Sequence, residues 1–313
     1  MKLIKKYRNT SLLATSYSKG LYALYVAKYV RVYNSSNEKI YELRIDYPSA
    51  GCFSEDDSCL FVFFNNHYVL KIDFINDSVE KVLELIEDGI FMEVMSVVSN
   101  KLYILYSYFN VDNYDSKLTT LSIEDGLRED IDFEEKVNKI GAVRTTNTFY
   151  LVTAIAPLIG SKTKTNIMYL KNDKWITSNS CSNMLNLSFY CETLGYIIVS
   201  GMNHILIKKD DEILYIDETE ERTEPIVFAI NEREKIIMYE IDGYIKIVSL
   251  DSFKVLDEYE AIGKINIISS DTLETIKVTK GKLMVLEMGF IGNSDKVVFR
   301  LNNDIAVCSY EIN

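Results

Sequence analysis

Three stretches of this chain follow one template. An apolar run opens at Leu21, Leu60 and Ile236, and a second run opens at one common spacing at Tyr29, Tyr68 and Tyr244. The second runs read "YVRVY", "YVLKI" and "YIKIV", and a third run follows each: "KIYEL", "KVLEL" and "KVLDEY". Four further copies fit with more drift, anchored at Leu102, Phe149, Ile197 and Val297. The seven anchors recur about every 46 residues, a period of small repeated units rather than of one continuous sheet.

The pattern inside each copy is that of strands. The first run is nearly continuous, as in "CLFVFF", "KIIMY" and "KVVF". A continuous apolar run of this length predicts a strand buried on both faces. The last run of each copy is more polar, as suits an exposed outer strand. Turns between runs carry Asp, Asn and Gly, as in "NDS", "EDG" and "KNDK", and no helical period is sustained. The last copy shows two clear strands after the turn near Ser294, and the leading "KLIKKYR" precedes the first copy. That leader is expected to supply the outer strand of the last unit and tie the two ends of the chain together.

In this organisation the chain resembles the WD40-like β-propellers of the degenerate, bacterial type. The resemblance implies an all-β, seven-bladed β-propeller over residues 1–313 as a single domain, closed by the N-terminal strand. Eight blades is the alternative, because "KINIISS", "ETIKVT" and "KLMVLEM" between Ile236 and Val297 could be an inserted hairpin plus an inner strand, or a further blade. The repeats do not end in Trp-Asp, Trp175 is the sole tryptophan, and His67 and His204 are the only histidines. The side-chain network of typical WD40 repeats is therefore not carried over.

Composition narrows function. A net charge of −12 and a pI near 4.8 oppose non-specific binding to nucleic acid or to an anionic membrane, and suit a basic protein partner. Five cysteines, Cys52, Cys59, Cys181, Cys191 and Cys308, form no C-x-x-C pair, so reduced thiols in a cytoplasmic protein are expected. A Cys52–Cys59 bridge across a hairpin is the less favoured reading. The apolar part of the N-terminus, Leu12 to Ala14, is too short for a signal-peptide core.

No catalytic constellation stands out: there is no G-x-S-x-G and no phosphate-cradling Gly-rich loop. His67 and His204 occupy equivalent places in two copies without accompanying ligands, so no metal site and no cofactor is expected. Asp56-Asp57 and Asp210-Asp211 fall in tight turns, where Asp serves the backbone. The acidic stretches Asp217 to Pro225, Glu87-Asp88 and Glu134-Glu135 read as a solvated rim, or as an acidic collar for a basic partner.

The functional lead is two enlarged connections, 107–117 and 154–166, read as loops between the second and third runs of neighbouring copies. They offer Tyr108, Phe109, Tyr114, Pro157, Leu158, Lys162 and Lys164 as partner-binding candidates. The expected function is a monomeric, non-catalytic protein-interaction scaffold. The alternative is a hydrolase, lyase or small-molecule binder that uses a central channel.

Overall fold

A computed structural model describes residues 1–16, 19–64, 67–87, 89–110, 113–131, 139–144, 149–155, 164–171, 174–182, 187–191, 193–200, 204–209, 212–219, 226–260, 285–292, 294–301 and 304–312. Among them lie seven four-stranded antiparallel sheets. In chain order the strands of sheet I are Thr10–Thr15, Tyr22–Val26, Tyr29–Tyr33 and Lys39–Arg44. Sheet II holds Pro48–Phe53, Cys59–Phe64, Tyr68–Asp73 and Ser78–Glu84; sheet III holds Phe91–Val98, Lys101–Asn110, Asn113–Ser122 and Arg128–Ile131. Sheet IV holds Lys139–Arg144, Phe149–Ile155, Lys164–Lys171 and Lys174–Ser182; sheet V holds Leu187–Cys191, Tyr196–Ser200, His204–Lys209 and Glu212–Glu218. Sheet VI holds Phe228–Asn231, Ile236–Ile241, Tyr244–Ser249 and Val255–Glu260. Sheet VII joins Val285–Phe290, Lys296–Leu301 and Asp304–Ser309 to the N-terminal strand Lys2–Tyr7.

All seven sequence anchors fall at the second strand of a sheet. Its continuous apolar run is explained by burial: Ile236–Ile241 is buried at every position and Cys59–Phe64 at all but the last. The fourth strands are polar because one face meets solvent, as in Lys39–Arg44 and Ser78–Glu84. The expected closure is present, with Lys2 opposite Ser309 and Tyr7 opposite Ile305. The stretches "KINIISS" and "ETIKVT" lie outside the described residues, while "KLMVLEM" runs into the first strand of sheet VII.

The chain divides into two compact units, one of 1–45, 202–204 and 217–313, the other of 46–201 and 205–216. In the first, sheets VI and VII share a core of Met238, Ile245, Phe290, Phe299 and Ala306. Sheets VII and I share a second core, where Tyr22 and Leu24 meet Val298 and Ile305. In the second unit, sheets II and III close over Phe61, Phe63, Val69, Leu85, Ile90, Leu102 and Tyr106. The first strands of sheets II, III, IV and V contact one another in that order.

Several hairpins turn within two residues whose backbones both take positive φ: Ala27-Lys28, Ser99-Asn100 and Asp242-Gly243. That geometry matches the right-handed twist of the flanking strands. Cys52 pairs with Phe61 rather than Cys59, so the hairpin does not bring the two thiols opposite one another; both are free and buried, as are Cys191 and Cys308. Among the described residues no helix is long and apolar enough to cross a membrane.

Candidate functional edge of sheets II to IV

In an up-and-down sheet of four strands, the start of the first, the end of the second, the start of the third and the end of the fourth lie at one edge. In sheet III that edge carries the hairpin anticipated as the loop 107–117. The structure corrects this reading: Ser107 to Asn110 and Asn113 to Lys117 are paired strand, with Phe109 opposite Tyr114 and Asn110 opposite Asn113. The Asn and Asp residues suggested a loop, but Tyr108, Phe109 and Tyr114 favour extended backbone and the Ser107 and Ser116 hydroxyls lie 3.1 Å apart across the ladder. The ends of 154–166 are paired strand too, with Ile155 opposite Lys164 and Ala154 opposite Thr165.

The candidate residues separate accordingly. Tyr108 is half-buried and packs on the shared core of sheets II and III, with its ring 6.1 Å from that of Tyr106. Phe109 and Tyr114 face each other in the backbone ladder. Lys164 opens the third strand of sheet IV. Pro157, Leu158 and Lys162 lie outside the described residues.

The same edge exposes apolar side chains that the repeat alignment did not single out. Tyr47, just before the first strand of sheet II, is 73% exposed. Ile86 is 82% exposed in the connection from sheet II to sheet III, and Phe91, which opens sheet III opposite Ser107, is 58% exposed. Their neighbours Leu85 and Ile90 turn inward and are buried, so the connection is pinned by one pair and presents the other. Phe64 and Tyr68 meet at the same edge of sheet II with their rings tilted by 37° and centroids 5.5 Å apart, and His67 lies between them in the turn.

Beneath the edge lies an ionic cluster. Lys117 Nζ sits 2.9 Å from Glu87 and 3.1 Å from Asp130. Asp130 also accepts hydrogen bonds from Thr119 Oγ1 at 2.7 Å and from Arg128 Nε at 3.0 Å. Burial works to raise the Asp130 pKa, but Arg128, Thr119 and Lys117 outweigh it and hold the carboxyl down at about 2. Burial likewise opposes ionisation of Glu87, and the Lys117 hydrogen bond overcomes it. Glu87 is thus a fixed partner of Lys117 and not part of a solvated rim. The buried Tyr106 phenol, directly opposite Lys117 in the ladder, is pushed up to about 12, first by burial.

Sheet VI repeats this device. Lys246 lies opposite Tyr239 and 2.7 Å from Asp217, which also accepts the Tyr239 hydroxyl at 2.7 Å. The residues 220–225 of that acidic stretch, with Asp210-Asp211 and Glu134-Glu135, lie outside the described residues. Asp56 serves its turn, as expected, accepting hydrogen bonds from Ser54, Ser58 Oγ and the Ser58 amide. Among the described residues no three His, Cys, Asp or Glu gather in a metal-holding group.

No protein-family model matches the chain. No curated protein matches it either. Among solved structures, the Dos1 propeller is similar with a TM-score of 0.63 at 12% identity, covering 100% of this chain and 95% of that one. At that identity the likeness shows the fold alone: with its four-stranded antiparallel sheets, this chain is a β-propeller.

Proposed function

We propose that the chain is a non-catalytic protein-interaction module that binds a protein partner at the edge formed by the long hairpins of sheets III and IV. One observation carries the reading. The second and third strands of sheet III run ten residues each, against five or six for the same strands of sheets I, II, V, VI and VII. The extra length continues past Tyr108, which is half-buried on the core shared by sheets II and III and offers its remaining surface as an aromatic anchor. Four buried, free thiols suit a reducing compartment, so we place the module in the cytoplasm, as a monomer.

Site-specific photo-crosslinking tests this. A photoreactive residue at Tyr108 or Lys164 is expected to trap a discrete protein species in cells, while one at Ile75, on the opposite edge of sheet II, traps none. Equal products from all three positions would overturn the assignment.

A further inference from the structure

The negative charge of the chain is not spread along it. Residues 46–131, sheets II and III with their connections, contain 17 Asp and Glu against 5 Lys and Arg, a net of −12. The remaining residues contain 29 of each, a net of zero, so this one segment accounts for the whole formal charge. All five of its cations are already held by its own carboxylates. Lys71 is paired with Glu80, Lys81 with Glu84, Lys101 with Glu129, Lys117 with Glu87 and Asp130, and Arg128 with Asp130. The segment has no further Lys or Arg to balance its surplus acid.

The exposed apolar group at the edge of these sheets, Tyr47, Ile86 and Phe91, belongs to the same segment. Resting on the interaction reading above, we propose that this edge seats a basic segment of a partner protein, whose apolar side chains pack on Tyr47, Ile86 and Phe91 while its Lys and Arg meet the net negative field of sheets II and III, to which Asp46 and Glu84 contribute at this end. The two features select one chemistry together. Apolar anchors supply the contact energy of an interface centre, and a single-sign field supplies steering and rejects acidic partners. An anionic ligand meets repulsion here, and a neutral apolar one leaves the charge unused.

The probe is a fluorescein-labelled peptide of alternating Lys and Leu, with two controls, one with Glu in place of Lys and one with Ser in place of Leu. Anisotropy titrations should show the Lys–Leu peptide binding at least about tenfold more tightly than either control. Phe91→Ser and Ile86→Ser should each weaken it by about tenfold or more while leaving the melting temperature unchanged, since both side chains are exposed. Binding should weaken as NaCl rises from 50 to 500 mM. Equal binding of the Glu–Leu peptide, or an unchanged Kd in both variants, would overturn the proposal. A dimer in light scattering that Phe91→Ser dissolves would overturn it as well, because a second copy would then occupy the edge. Crosslinking at Tyr108 with no effect of Phe91→Ser on peptide binding would sink this inference and leave the interaction reading standing.

Discussion

At the scale of single residues, the backbone states its needs more plainly than the chemistry does. Ala27 is exposed and sits at φ 50° in the first place of a two-residue hairpin, a position that favours Asn. Ala27→Asn is therefore expected to stabilise the protein by up to about 1 kcal/mol, read as a raised denaturant midpoint with unchanged slope. Asp130 makes a pH prediction. Its folded pKa, about 2, lies below the ordinary 3.8, so its contribution is fully present above pH 4 and is lost as pH falls toward 2. About a third of the side chain is exposed, so solvent screening reduces the contribution to roughly 1 kcal/mol. Asp130→Asn should lower stability at pH 7 and flatten the acid limb of the stability–pH curve between pH 4 and 2. An acid limb identical to the parent's would show that Lys117, Arg128 and Thr119 do not select the ionised form.

Elements were the most legible level. The second strands announce themselves because burial on both faces removes any need for alternation, as in "CLFVFF", and the tyrosines that open the third strands mark the hairpins. The long hairpin of sheet III was misread because its Asn and Asp residues, the usual mark of a loop, were weighted above the extended preference of Tyr108, Phe109 and Tyr114. Ile86 was hidden for the converse reason: "LELI" reads as one strand, and only the turn of the chain after Leu85 shows which of its apolar residues face out. The N-terminal strand was anticipated, and its anchorage is specific. The Tyr7 and Tyr22 hydroxyls meet at 2.8 Å, the Tyr22 and Tyr33 rings stack at 5.2 Å, and Lys5 Nζ lies 5.3 Å from the Tyr7 ring centroid. Removing residues 1–8 would leave the strand Asp304–Ser309 as an open edge and uncover this cluster. Aggregation or a strand-exchanged dimer is expected by light scattering, with a melting temperature lower by well over 5 °C. A monomer of undiminished stability would mean that the N-terminal strand is an ornament rather than a clasp.

At the scale of the molecule, the segregated charge sets two salt effects of opposite sign. The surplus of twelve carboxylates in residues 46–131 repels itself in the folded state, at distances that in sheets II and III fall within a few Debye lengths. Salt relieves that repulsion, whereas it weakens attraction between the same field and a basic partner. The ionic cluster around Lys117 opposes the trend only slightly, because Glu87 is largely buried and such pairs are poorly screened. Raising NaCl from 50 to 500 mM is therefore expected to increase the melting temperature by about 1–2 °C, the shift that about 1 kcal/mol produces in a chain of this size. The same change should weaken binding of the Lys–Leu peptide. A general effect of salt on apolar burial would strengthen both stability and apolar contact, so its signature is two shifts of the same sign. Differential scanning fluorimetry and anisotropy on one salt series distinguish the cases. Opposed shifts tie both behaviours to the acid of sheets II and III, while a falling melting temperature would mean that favourable ion pairs outweigh the repulsion.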